Sequence, residues 1–156
     1  MRKLIFIVLI SCTYSLVGFF PREYRDISLM EIENKTDYLQ LTSISKVAFE
    51  NFVLNEPRLN LRSKGNANVL VKIYINSYSR EPEKYDQNGN IISYKYGVYI
   101  DVEYLKKDSI VIFEKRGYSG FYVQPALNSP DDGYKNAIID ALSKSFSDYF
   151  NTLSKD

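Results

Sequence analysis

The sequence predicts an α+β domain in which a four-stranded antiparallel or mixed sheet carries two helices on one face, in the order β-α-β-β-β-α. Three observations lead there. Val69, Val71, Ile73 and Ile75 alternate with Leu70, Lys72, Tyr74, Asn76 and Tyr78, which is the period of a half-buried strand. A second alternating run follows Asn88-Gly89, a dipeptide that tolerates positive φ and so marks a hairpin. On either side of these runs lie segments whose apolar residues recur at three and four, the spacing of an amphipathic helix. A chain of 156 residues fits one such domain and leaves little room for two.

The N-terminus reads as an export signal. Arg2 and Lys3 precede the uninterrupted apolar run Leu4 to Ile10. The run ends in Leu9-Ile10-Ser11-Cys12, the pattern of a bacterial lipobox, in which a small residue admits the signal peptidase before a Cys that carries diacylglycerol as a thioether. Cys12 is the one cysteine of the chain. An ordinary signal peptide with a coincidental Cys fits the n-region and h-region equally, but leaves that position unexplained. A membrane span from Leu4 to Phe20 would cover only about 25 Å at 1.5 Å per residue, against roughly 30 Å of hydrocarbon. The reading is therefore a signal peptide over 1–11, a lipidated Cys12 with a tether over 12–25, and a single α+β domain over 26–156. Two or more acyl chains would hold that domain stably at a membrane surface.

The mature chain continues with a strand from Asp26 to Glu33, where the shift from Ile27 and Leu29 to Met30 and Ile32 indicates a bulge. Asn34 to Asp37 is turn-like, and Asp37 with Gln40 forms a weak capping box. Leu41, Ile44, Val47, Ala48 and Phe52 then keep helical spacing, predicting a helix from about Tyr38 to Leu54 that stops before Pro57. Leu59 to Arg62 is compatible with a short strand outside the count of four. Val69 to Tyr78 is the clearest strand, and Arg80 to Asn90 is polar. The return strand covers Ile92 to Leu105, with Tyr94, Tyr96, Val98, Ile100, Val102 and Tyr104 on one side and Lys95, Gly97, Tyr99, Asp101 and Glu103 on the other. A last strand spans Ile110 to Tyr122, and Val123 to Gly133 reads as a loop. From Asp131 to Leu153, Tyr134, Ala137, Ile138, Ala141, Leu142, Phe146, Tyr149 and Phe150 define the second helix.

The composition excludes much chemistry. No histidine is present, so Ser-His-Asp triads, Cys-His dyads and H-E-x-x-H zinc sites are ruled out. The net charge of +1 includes Arg2 and Lys3, which leaves no basic excess for nucleic acid. Ser43 and Lys46 have the S-x-x-K spacing of serine acyl enzymes, but about one such pair is expected by chance and the partner motifs are missing. Asp86, Asn88 and Asn90 match the start of a calcium loop, yet Ile91 stands where that loop needs Gly and Gly97 where it needs Glu. A hairpin tip accounts for them better. Glu31 with Glu33 and Asp131 with Asp132 read as a solvated face and a helix N-terminus. No metal or cofactor is expected.

Fourteen Tyr and nine Phe stand against no Trp. Leu70, Tyr74, Tyr78 and Tyr99 are expected on the sheet face turned away from the helices, where amphipathic rings can either pair across strands or dock a partner.

Cys12-Thr13-Tyr14-Ser15-Leu16, the strand ending Ile32-Glu33-Asn34-Lys35-Thr36, the long hairpin and the final helix together resemble the LPS-assembly lipoproteins, the LptE family. The start follows the pattern Cys-x-Tyr/Trp-x-Leu, with Thr13 where Gly is usual. The resemblance implies an outer-membrane lipoprotein, acylated with fatty acids such as palmitate, whose domain sits inside the LptD β-barrel as plug and assembly factor in lipopolysaccharide transport, without turnover. Thr13 rather than Asp after the lipidated Cys is compatible with outer-membrane delivery. The resemblance makes Arg80, Lys84, Lys106 and Lys107 candidates for lipopolysaccharide phosphate. Where some members carry a basic residue beside the Asn-Gly tip, this chain has Asp86 and Gln87. The competing expectation is a periplasm-facing lipoprotein that docks on another envelope protein, such as a peptidoglycan synthase. A third, a small lipid-binding lipoprotein, needs a buried apolar cavity.

Overall fold

The computed structural model describes residues 21–153. The predicted signal peptide, Cys12 and most of the tether therefore lie outside the described residues. After a short 3-10 turn, Arg22–Tyr24, the chain forms β1 (Asp26–Asn34), α1 (Leu41–Asn55), β2 (Asn60–Leu61), β3 (Val69–Tyr85), β4 (Ile91–Lys106), β5 (Val111–Pro125) and α2 (Pro130–Leu153). The predicted α+β class and element order are observed. The sheet is mixed, in the order β2-β1-β3-β4-β5. It has five strands rather than four, because Asn60 and Leu61 pair in parallel with Asp26 and Ile27.

β1 runs parallel to β3, and α1 makes the crossover between them. The expected bulge in β1 falls at Met30, where the register with β3 shifts between Leu29 and Glu31. β3, β4 and β5 form an antiparallel meander. Alternation places Val69, Val71, Ile73 and Ile75 of β3, with Tyr96, Val98, Ile100, Val102 and Tyr104 of β4, under the helices, each at most 3% exposed. Against them pack Phe49, Phe52 and Val53 of α1 and Ala137, Ile138, Ala141, Leu142, Phe146 and Tyr149 of α2. The Tyr104 and Tyr149 rings stack 4.2 Å apart, and the buried Tyr104 hydroxyl meets Ser145 Oγ at 3.1 Å. Tyr38 touches Tyr134 near the start of both helices, and Phe52 touches Phe146 farther along, so the helices run in the same direction. Both N-termini lie at the end from which the β3–β4 hairpin projects.

Three boundaries differ from the sequence expectation. α1 begins at Leu41 instead of Tyr38, and no capping box forms. The Asp37 carboxylate accepts from the Tyr78 hydroxyl at 3.0 Å, while Asn34 Nδ2 donates to the Tyr38 carbonyl, and this holds the preceding turn out of the helix. β3 continues to Tyr85 and β5 to Pro125, so the expected polar segment Arg80 to Asn90 is largely strand and the loop shrinks. Beyond Ser79 the ribbon outruns the helices and every β3 residue is exposed, so hydrogen bonding persists where hydrophobic alternation has no face to bury. The tip is the turn that Asn88-Gly89 predicts. Gly89 adopts φ +81°, and the Asp86 carboxylate accepts from the backbone N–H groups of Asn88 and Asn90.

α2 lies almost against the β5 backbone at Gly120, where a Cβ would collide with the Ala137 carbonyl. Beside that contact, Asp140 accepts from the Phe121 N–H and Lys144 donates to the Ser119 carbonyl, so the helix also blunts this stretch of sheet edge. Gly120→Val should therefore push the helix off the sheet and cost about 3 kcal/mol in urea denaturation. Gly65→Ala, which meets nothing within 4 Å, should change stability little and serves as the control.

Candidate functional site

The sheet face turned away from the helices has a charged centre and an aromatic flank. Tyr74 of β3 sits at the centre, with Lys115 Nζ 3.8 Å and Lys35 Nζ 5.4 Å from its ring centroid. Lys115 also pairs with Asp101 at 3.4 Å, and Lys72 with Glu31 at 3.9 Å. Burial, followed by the carboxylates of Glu103, Glu31 and Glu33, raises the Tyr74 phenol above its ordinary range. The flank is built on glycine. Phe121 lies directly opposite Gly97 and Tyr99 leans over Gly117, so each ring covers a position where a Cβ would meet it. Tyr99 is 41% and Phe121 50% exposed. Between them runs a shallow groove of about 180 Å³ lined by Ser77, Ser79, Gly97, Tyr99, Ser119 and Phe121.

Two of the four tyrosine and leucine positions expected on this face do not serve it. β3 bulges at Asn76, where the register passes from Ile75–Ile100 to Ser77–Tyr99. The extra residue reverses the alternation and carries Tyr78 to the helix side. There its ring lies 5.6 Å from Tyr38 and 5.7 Å from Tyr134. Leu70 keeps its predicted side but is 5% exposed, with Ser28 and Leu105, both nearly buried, as its strand neighbours. It offers no surface. Tyr74 and Tyr99 remain, and Phe121 joins them. Its direct pairing with Gly97 was the sequence signal for it, once the register of the last two strands is fixed.

The bulge also turns Arg80 inward, stacking its guanidinium 3.8 Å from the Tyr94 ring and 5.6 Å from Tyr96. Lys84 is exposed near the hairpin tip. Lys106 and Lys107 occupy the opposite end of the sheet, since Val69 at the start of β3 pairs with Lys106. Eleven strand residues separate this pair from Arg80, about 35 Å. The four basic candidates thus form two separate groups and cannot grip one phosphate together.

The positions considered for catalysis have structural partners. Ser43 Oγ donates to the Gln40 carbonyl at 2.8 Å. Asp131 accepts from the Tyr38 hydroxyl, and Asp132 pairs with Lys135 in the first turn of α2. Among the described residues no group of His, Cys, Asp and Glu could hold a metal ion, and no helix is long and apolar enough to cross a membrane.

The architecture has counterparts among solved structures. PelC from Paraburkholderia phytofirmans, solved as a dodecamer, superposes with a TM-score of 0.53 at 12% identity, over 78% of this chain and 88% of that one. A Caulobacter crescentus protein classed as a lipoprotein gives 0.54 at 13%, over 85% and 93%. The fold is shared with solved bacterial lipoproteins. Rare lipoprotein B from Shewanella oneidensis is a looser likeness, with a TM-score of 0.43 at 16% identity over 81% and 97%. No family model and no curated protein matches the sequence.

The two kinds of tyrosine separate by stability. Tyr78→Ser removes two ring contacts and the hydrogen bond to Asp37 and should cost about 1–2 kcal/mol, whereas Tyr99→Ser should cost under about 0.5 kcal/mol, both read by urea denaturation. Burial pushes the phenols of Tyr118 and Tyr134 up to about 12. A raised folded value means that the stabilisation is complete below the ordinary tyrosine value of 10.0 and is lost as pH rises toward 12. Urea midpoints should accordingly fall between pH 10 and 12, and fall less in Tyr134→Phe.

Proposed function

We propose that this protein is a non-enzymatic outer-membrane lipoprotein, anchored through Cys12, that plugs an LptD-type β-barrel and assists its assembly in lipopolysaccharide transport. The observation that carries the reading is the length and direction of the β3–β4 ribbon. Its seventeen-residue strand starts at the end where the tether enters, at Pro21, and rises about 55 Å to the tip at Asp86–Gly89. A bilayer's hydrocarbon is about 30 Å thick, so a domain anchored at one leaflet is long enough to span a barrel and reach the other side. The character of the outer face agrees. Tyr74, Tyr99 and Phe121 are interleaved with Lys72, Lys115, Glu103 and Asp101, a surface suited to the polar lumen of a barrel and not to lipid. On this reading Arg80 and Lys84 on the ribbon, rather than Lys106 and Lys107, would be the residues that meet lipopolysaccharide.

The PelC likeness favours a second reading, in which the partners are further copies of the same chain. Purification of the tagged protein from solubilised outer membranes separates the two. A large β-barrel in stoichiometric amount supports the plug; a homo-oligomer alone, or a peptidoglycan synthase, contradicts it. Replacing Tyr74, Tyr99 and Phe121 together with Ser should reduce barrel recovery at least about tenfold, while circular dichroism shows the domain still folded. Cys12→Ala should abolish incorporation of labelled fatty acid, and label persisting in that variant would contradict the anchor.

A further inference from the structure

The end of the fold opposite the hairpin tip is where the chain arrives from its anchor, and it is electrically distinct from the rest. The turn at Arg22–Tyr24, the loop before β3 and the β4–β5 turn meet there. Lys106 Nζ sits 5.4 Å from the centroid of the Tyr24 ring, Lys107 Nζ donates to the Gly65 carbonyl at 2.6 Å, and the Lys107 N–H donates to the Asn68 carbonyl. The segments 21–26, 56–68 and 106–110 hold seven basic and four acidic residues, a net +3, whereas the described residues as a whole carry −1. The pairs Arg58–Glu56 and Arg62–Asp26 cancel locally. The same end also holds Arg22, Arg25, Lys64, Lys106 and Lys107 against Glu23 and Asp108. Beside them opens a pocket of about 510 Å³ lined by Glu23, Tyr24, Asn68, Lys106, Lys107 and Asp108.

We propose that this end binds the headgroups of anionic phospholipid in the leaflet that holds the anchor, with a headgroup phosphate entering the pocket at Lys106 and Lys107. Eight residues, Thr13 to Phe20, separate Cys12 from Pro21, at most about 30 Å of extended chain, so the acyl chains keep this end within reach of the surface. The excess of positive charge matches an anionic surface, whose attraction falls off within a Debye length and therefore acts on this end and not on the tip about 55 Å away. The docked end fixes the direction of the domain: its basic end stays level with the headgroups and the ribbon extends from it. The proposal rests on lipidation at Cys12 and is independent of which partner the ribbon meets.

The absence of Trp from the chain gives a clean reporter. Full-length lipidated protein carrying either Ile110→Trp, beside the basic turn, or Asn88→Trp, at the tip, is reconstituted without partner into vesicles containing brominated acyl chains. In vesicles rich in phosphatidylglycerol, fluorescence at position 110 should be quenched and that at position 88 should not. Quenching at position 110 should fall severalfold in phosphatidylcholine, in 0.5 M salt, or with Lys106→Glu and Lys107→Glu, while the protein stays on the vesicles. Equal quenching at the two positions, or quenching at position 110 that ignores lipid charge and charge reversal, overturns the proposal. Failure of the wild-type protein to stay on any vesicle overturns the anchor itself, and sedimentation of the vesicles reads that separately.

Discussion

Everything else in this structure depends on one face of the β3–β4 ribbon being buried under two helices that run in the same direction. Nine alternating side chains, from Val69 to Ile75 and from Tyr96 to Tyr104, supply that face. Each such buried apolar side chain is worth about 1.5–3 kcal/mol. The helices settle on it closely enough that Gly120 must lack a side chain where α2 crosses β5. Since α1 links two parallel strands and α2 follows β5, both helices start at the hairpin end. The projecting ribbon and the tether are thereby driven to opposite poles.

The bulge at Asn76 divides this ribbon into two parts with different partners. Below it, alternation serves the core. Above it, the reversed alternation places Tyr78 and Arg80 on the helix side, where they join Tyr38, Tyr94, Tyr96 and Tyr134 in an aromatic collar around the helix N-termini. That collar packs the base of a ribbon whose β3 residues beyond Ser79 are exposed. On the outer face, glycine on the adjacent strand makes room for the rings of Tyr99 and Phe121, and a charged network occupies the middle around Tyr74.

Several polar groups hold structural roles: Ser43 donates to a main-chain carbonyl, Asp37 and Asp131 accept from tyrosine hydroxyls, and Asp86 closes its own turn. A long polar ribbon extends from one end, basic residues gather at the other, and a face of mixed rings and ions lies between them. The fold that carries these features is shared with solved bacterial structures, at identities near one residue in eight.

The sequence by itself determined the class, the element order and most of the core. Period-two and period-3.6 patterns record directly which side of each element meets the helices, and Asn88-Gly89 and the Met30 bulge were legible as local backbone chemistry. The segment beyond Ser79 was read only as polar and that after Tyr122 as loop, because strand pairing outside a core leaves no hydrophobic period to detect. The lipidation expected at Cys12 rests on a local motif that lies outside the described residues. The functional face was legible only in part. Tyr74 and Tyr99 could be placed by alternation, but Tyr78 and Arg80 changed sides at a bulge set by pairing with β4, and Phe121 gained its place from a register with Gly97 that no single strand encodes. Which basic residues share an end was decided by tertiary structure alone, because residues 80 and 106 belong to the two strands of one hairpin and lie about 35 Å apart only once those strands are extended and paired.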